Sequence, residues 1–341
     1  MSRVRGTLPR WSTWVALVAT AAVVGGLRLV LGFGVALFVA ATAVLFAAVL
    51  YTWSRVIEGR RRATDRLVTV VVTSAFLLSL TPLVSVVVTV LVRGLERFDV
   101  TFFTNSMSGV FGAGGGAYHA IMGTLIITGL AAAMSIPVGL LAAIYLVEYG
   151  RGKLARAITF FVDVMTGIPS IVAGLFAFAL FALFLGPGVR LGIMGAAALT
   201  VLMVPVVVRA TEEMLKIVPN ELREASYALG VPKWRTIVKV VLPTSVAGIA
   251  TGITLAIARV IGETAPLLIT VGLTTAVNLN PFEGRMATLP VFSYYSYASP
   301  GIPREAFTDR AWTAAFVLIV IVMALNLIAR LISRVFAPKT R

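Results

Sequence analysis

The chain has 341 residues, 59% hydrophobic and 13% charged, with a mean hydropathy of +0.98, well above the apolar content of soluble domains. No Cys and a single His exclude disulfides, thiolate metal sites and nearly all imidazole chemistry. A net charge of +15 would suit nucleic acid, but the basic residues cluster in short loops between apolar runs, where they act as topology signals, so no nucleic-acid partner is expected.

Hydrocarbon offers no water to backbone groups, so long apolar segments must close their hydrogen bonds internally as helices. A span needs roughly 20 such residues. The composition predicts an all-α integral membrane protein with eight spans, at about residues 11–27, 33–53, 67–92, 119–147, 157–185, 191–209, 244–271 and 312–332. Residues 1–66 read as an amino-terminal extension with two spans, and 67–341 as one domain. Arg3, Arg5 and Arg10 before an apolar run containing Ala19, Thr20 and Ala21 also fit a cleaved leader; the second apolar run that follows at once favours a retained span. Lys and Arg set the orientation. One alternating set of loops and ends holds 20 of the 29, the other only 7, which predicts both termini on the cytoplasmic side.

Between spans, the glycine-rich stretch 111–117 lies on the predicted outer side and lacks the Lys and Ser/Thr of a phosphate-cradling loop, so it reads as a flexible connector. No Walker-type motif occurs anywhere, and no ATP chemistry is expected in this chain. The outer stretch 274–310, rich in Pro, Tyr and Ser, is long for a structureless connection and suits either an external contact or a cap over the helix ends. Pro137, Pro169 and Pro205 are expected to kink their spans. His119 opens a span and reads as an interfacial residue.

The polar segment 221–243, ELREASYALGVPKWRTIVKVVLP, is predicted cytoplasmic. A short helix around Glu224, Ala225 and Ser226 breaks at Gly230, ahead of Val231-Pro232. Glu-Ala-Ser, three residues, Gly, nine residues, Val-Val-Leu-Pro is similar to the EAA loop of ATP-binding-cassette importer permeases, with Ser226 for the second Ala and Val240 for Ile. In that family the loop docks a separate ATPase. The resemblance therefore implies coupling roles for Glu221, Arg223, Glu224, Ala225, Ser226 and Gly230, with small residues allowing close approach and the charges pairing with a partner groove.

Two further arginines lie within spans, where a central Arg costs about 2.5 to 3.5 kcal/mol on insertion scales. Such residues usually face a bundle interior or a water-filled path. Arg259 falls near mid-span, and Glu263, four residues on, is predicted on nearly the same helical face, close enough for an ion pair. Pro266 is expected to disrupt the helix, leaving a positive helix end for an anion. Arg259 offers forked donors to phosphate oxygens, with Glu263 holding the guanidinium or accepting from a protonated oxygen; a purely structural pair is the alternative. Arg209 lies near the cytoplasmic end of its span beside Glu212 and Glu213, and fits equally a second cationic station or a snorkelling side chain.

From about residue 67 onward the chain resembles the PstA-type permeases of phosphate ABC importers. The match rests on IPVGLLAAIYLVEYG at 136–150, IPSIVAGLF at 168–176, VPVVVRATEEMLKIVP at 204–219 and LAIARVIGETAPLL at 255–268. The resemblance implies a type I importer fold of six core helices, preceded here by two extra spans, and a non-enzymatic role in the inner membrane. It also implies a PstC-type partner permease, two PstB-type ATPase subunits using ATP and Mg, an external PstS-type phosphate-binding protein and surrounding lipid. Another oxyanion, or an ion-coupled secondary transporter with Arg259 and Glu263 as a relay, are the rival readings; a membrane enzyme is disfavoured for want of a nucleophile–base or metal cluster.

Overall fold

The computed structural model describes residues 6–9 and 11–336. Arg3, Arg5 and Arg10, and the basic residues Lys339 and Arg341, lie outside the described residues. All regular structure among the described residues is helical, in fourteen α-helices with two π-helical turns. Seven helices are long and apolar enough to cross a membrane, and one bent pair adds an eighth if counted as a single span. Contacts divide the chain into two units, Met1–Val88 and Thr89–Arg341, the division falling within one helix.

In the first unit, α1 (Ser12–Leu31) and α2 (Val35–Ile57) are joined across Gly32–Gly34 and pack on each other. Only Ser12, Ala16, Thr20 and Val24 of α1 are buried, one stripe at four-residue spacing, and α2 answers with Thr42, Leu50 and Ser54. Small residues at that spacing let backbones approach where lipid removes the usual hydrophobic drive. The remaining apolar side chains face outward, as a lipid-bathed surface requires. The third helix, α3 (Arg60–Gly94), opens on a polar knot. The carboxylate of Glu58 is 8% exposed and accepts from the Leu8 N–H at 2.8 Å, Ser54 Oγ at 2.7 Å, and both Nε and Nη2 of Arg66 at 2.8 and 3.0 Å. Burial alone would raise this carboxyl, but the donors from Arg66, Ser54 and Leu8 outweigh it and hold it down to about 2.

The second unit is organised on α8 (Gly192–Ile217), half of whose residues are buried and which contacts α5 (Tyr118–Ile144), α6 (Lys153–Thr166), α7 (Ser170–Leu185), α11 (Leu242–Val260) and α12 (Ala265–Thr270). Ile127 and Ala131 of α5, Leu199, Met203 and Val207 of α8, and Ala256 and Val260 of α11 form the central core. A Gly-xxx-Gly pair, Gly248 and Gly252, lies on α11. An added Cβ at Gly252 would come within 2.6 Å of the Ala210 methyl, and one at Gly248 would overlap Met214. Glycine therefore sets how closely α11 seats on α8.

Two predicted spans are not continuous. The stretch 157–185 is two helices, α6 and α7, bent by 109° at Gly167–Pro169. Pro169 has no N–H to continue α6 and its ring biases Ile168 away from helical backbone. At 14 and 16 residues, neither half reaches the roughly 20 residues of a full span. By contrast Pro137 and Pro205 stay inside the uninterrupted helices α5 and α8. The span predicted at 244–271 is displaced: helix begins at α10 (Lys233–Thr236), runs through a π-helical turn at Ile237–Val241 into α11, and stops at Val260. Pro243 opens α11 and does not terminate the preceding segment. The two interrupted spans meet where Gly174 of α7 approaches Pro266 of α12, whose Cα would lie 2.6 Å from an added Cβ.

The stretch 274–310 is partly core. It contains α13 (Leu289–Ala298), whose Leu289, Pro290, Val291 and Phe292 are buried, and the first turns of α14 (Arg304–Phe336), on which α13 packs. Leu289 N–H donates to Thr124 Oγ1 at 2.8 Å. His119 is buried at 2% exposure and stands edge-on to Phe292, centroids 5.4 Å apart, so it is a packed residue and not an interfacial one.

Candidate functional site

Helix α9 (Asn220–Ala228) follows Pro219 and ends in a glycine turn. Gly230 has φ +74°, its N–H donates to Tyr227 O at 2.9 Å, and Val231 N–H donates to Ser226 O at 3.2 Å. These two bonds form a Schellman cap, which needs the left-handed residue that glycine supplies without strain. An added Cβ at Gly230 meets nothing within 4 Å, so substitution here strains the backbone without a clash.

Arg223 and Ser226, expected on an outward docking face, both point into the protein. Arg223 donates from Nε and Nη2 to Glu148 Oε1 at 3.1 and 2.9 Å, from Nη1 to Val218 O at 2.6 Å, and from Nη2 to Leu215 O at 3.0 Å. Its side chain is 12% exposed and that of Glu148 only 4%. The Ser226 and Thr236 hydroxyls share a buried hydrogen bond of 2.8 Å. Lys233 donates to Glu148 O and stands 4.8 Å from the Tyr149 ring centroid. Thus α9, the end of α8, the start of α10 and the π-helical turn at Tyr145–Tyr149 are tied through Glu148 and Arg223. Glu148 lacked any sequence signal beyond being an acid at a predicted span end. The outward residues are Glu221, Leu222, Glu224, Ala225, Tyr227 and Leu229, the last 83% exposed.

At the other region α11 ends at Val260 and the chain turns through Ile261–Thr264 before α12. Glu263 therefore leaves the helical phase that would have carried it back to Arg259. No ion pair or side-chain hydrogen bond of either residue occurs among the described residues; Arg259 is exposed and Glu263 half-buried. The break precedes Pro266, which sits in the first turn of α12 where its missing N–H costs no helical bond. A helix of six residues sums few peptide dipoles, so a positive helix end adds little here and the cation is Arg259 itself. Beside the break is a cavity of about 460 Å³ lined by Gly262, Thr264, Ala265, Leu268, Pro290 and Ser293. With no charged side chain in its wall, it does not suit a desolvated anion.

Arg209 is committed. Nη1 donates to Glu212 at 2.7 Å, Nη2 pairs with Asp163 of α6, and Lys216 completes the group by binding Glu212 at 2.7 Å. Asp163 is one residue that sequence spacing could not have joined to Arg209, since the fold of α6 onto α8 brings them together.

Residues 135–341 match the family described as binding-protein-dependent transport system inner membrane component. The chain is 47% identical to the phosphate transport system permease protein PstA 1 of Mycobacterium tuberculosis strain H37Rv over 83% of its own length and 91% of that protein. It is 38% identical to PstA of Yersinia pestis, over 83% and 93% of the two chains. Among solved structures, a chain of a bacterial alginate ABC transporter superposes with a TM-score of 0.56 at 16% identity, covering 82% of this chain and 97% of that one. A chain of the inward-facing MetNI methionine ABC transporter gives 0.50 at 21% identity, over 65% and 94%. At these identities the solved structures speak to fold alone.

Proposed function

This chain belongs to the binding-protein-dependent inner-membrane transport components and, within them, to the PstA phosphate permeases; on that premise we propose how its residues divide the work of phosphate import. It is a multi-pass, non-enzymatic permease subunit of an ABC importer. The observation that carries the phosphate reading is the 47% identity to a PstA permease along nine tenths of that relative. ATP and Mg are then used by two PstB-type subunits, a PstC-type permease completes the membrane pair, and a PstS-type protein delivers phosphate from outside.

In this reading the excess of Lys and Arg puts both termini and α9 on the cytoplasmic side. The outward face of α9, with Glu221, Glu224, Ala225, Tyr227 and Leu229, seats in the ATPase. Arg223 and Glu148 make that helix one rigid piece with the ends of α5 and α8, so displacement of α9 moves both spans. Ser226 and Gly230 hold its shape. The amino-terminal pair of spans is an extension to the permease domain.

Arg259 is the anion station. Its charge has no ion-pair partner among the described residues and is exposed on the surface of a single subunit, which fits a path shared with the partner permease. Phosphate neutralises it transiently, and Glu263 beyond the break accepts from a protonated phosphate oxygen. Arg209, already neutralised by Asp163 and Glu212, is assigned to tying α6 to α8. The test is ATP-dependent uptake of labelled phosphate into vesicles bearing the reconstituted complex, with Arg259→Gln beside the parent. Loss of uptake with normal assembly is expected; full uptake by the variant removes the station.

A further inference from the structure

One buried cation is not used by this scheme. Arg310, in the second turn of α14, is wholly buried, yet it takes part in none of the ion pairs among the described residues. Its Nη1 donates both hydrogens, to Gly112 O at 2.7 Å and Gly114 O at 2.8 Å, and its Cζ lies 4.3 Å from the Phe307 ring centroid. Nε and Nη2 have no acceptor among the described residues. Those two nitrogens form the side-on edge of a guanidinium, whose parallel N–H bonds match two oxygens of one carboxylate or phosphate. A buried guanidinium with three of its five N–H donors unmatched is costly, and carbonyl groups and an aromatic face offset only part of that cost.

The two carbonyls on Nη1 belong to the glycine-rich loop, whose sequence alone reads as a flexible connector. Gly109, Gly112, Gly114 and Gly115 all have left-handed φ, between +63° and +94°. Arg97 holds the same loop by donating from Nη2 to Gly115 O at 3.1 Å, and its Nε reaches Asp99 at 3.2 Å. Three loop carbonyls thus rest on two arginines. Asp99 is already engaged by Arg97; Asp309, next to Arg310 in sequence, makes no ion pair with it. A protein carboxylate from outside would have to thread this loop to reach a wholly buried edge, whereas a small inorganic oxyanion needs only a brief lift of glycine backbone.

We propose that the Nε–Nη2 edge of Arg310 is a second oxyanion seat, at the end of the chain assigned above to the outside, with residues 109–116 as its cover and phosphate-like tetrahedral oxyanions as its ligand. It rests on the phosphate-import reading and is separate from Arg259. Binding replaces no loop bond, because Nη1 keeps both carbonyls while the fork takes the anion.

The test uses the full complex carrying Arg259→Gln, without the external binding protein, so that neither the central station nor the delivery protein contributes. Radiolabelled inorganic phosphate is bound at equilibrium with and without Arg310→Lys, which keeps the charge and a donor for the glycine carbonyls but has no fork. The lysine variant should bind at least about tenfold more weakly. In the Arg310-containing complex, amide exchange at 109–116 should slow when phosphate replaces chloride, a readout that needs no foldable Arg310 variant. Equal binding by both proteins, or a loop indifferent to phosphate, means Arg310 is a structural clamp only and overturns the proposal. If uptake by the parent complex is intact in that case, the import reading stands; if the parent moves no phosphate, that reading fails first.

Discussion

The segment around α9 and the break after α11 treat charge in opposite ways. At α9 Arg223 is spent inside the chain, on Glu148 and two main-chain carbonyls at the end of α8. At the break Arg259 has no ion-pair partner among the described residues, and Glu263, the acid four residues on, has been turned away from it by the end of the helix. A cation held by acceptors in its own chain transmits position, because moving it breaks those hydrogen bonds. One without a partner is free to meet a passing anion. Arg209 belongs with the first kind, whereas its sequence position fits a cationic station and a snorkelling side chain equally, because sequence shows neither Asp163 nor the fold that delivers it.

This contrast is broken most sharply at Arg259. Replacement by Gln should raise the barrier for phosphate by about 3 kcal/mol, roughly a hundredfold in ATP-dependent uptake, with assembly unchanged. Arg209→Gln should lose less than about tenfold in the same assay, since its charge is already matched. Equal losses at both positions would erase the distinction. The next effect is at Arg223: Ala leaves Glu148 buried and unpaired, at a cost of about 3 kcal/mol, read as a lowered melting temperature of the complex and as ATP hydrolysis without matching uptake. An Arg223→Ala complex with parental coupling would show that α9 moves independently of α5 and α8.

Smaller still is Gly230→Ala, which forces a side chain into left-handed backbone for about 1 kcal/mol without any clash. It should reduce coupling modestly, and a bulkier residue should do little more. The least effect on uptake is expected at Glu58, in the first unit. Because its carboxyl is held down to about 2, it contributes stability in full above its ordinary value of 4.5 and loses it as pH falls from there through 2. Amide-exchange protection factors across residues 54–66, corrected for the intrinsic pH dependence of exchange, should therefore stay flat from neutral pH to about 5 and fall below 4.5, and Glu58→Gln should remove that step.

Much of the architecture was legible in hydropathy. Apolar runs without water must be helices, so six of the eight predicted spans each follow a single helical run of the structure, to within two residues at the start. The two that do not, 157–185 and 244–271, carry Gly-Ile-Pro and Ile-Gly-Glu-Thr-Ala-Pro, and composition averaged over a window hides such interruptions. The shape of α9 was legible as well, because Pro219 and Gly230 act on their own backbone. Which way its side chains face was not: a charged residue in a polar segment reads as exposed, and only packing puts Arg223 and Ser226 inside.

The amino-acid sequence alone determined the class of this protein, the PstA resemblance and the location of α9, since each depends on residue type and spacing along one stretch of chain. Tertiary structure decided the state of every charge. Glu58, Glu148, Arg209 and Arg310 find their partners, or lack them, through contacts from other helices and loops, and electrostatic energy depends on distances in space that sequence separation does not record.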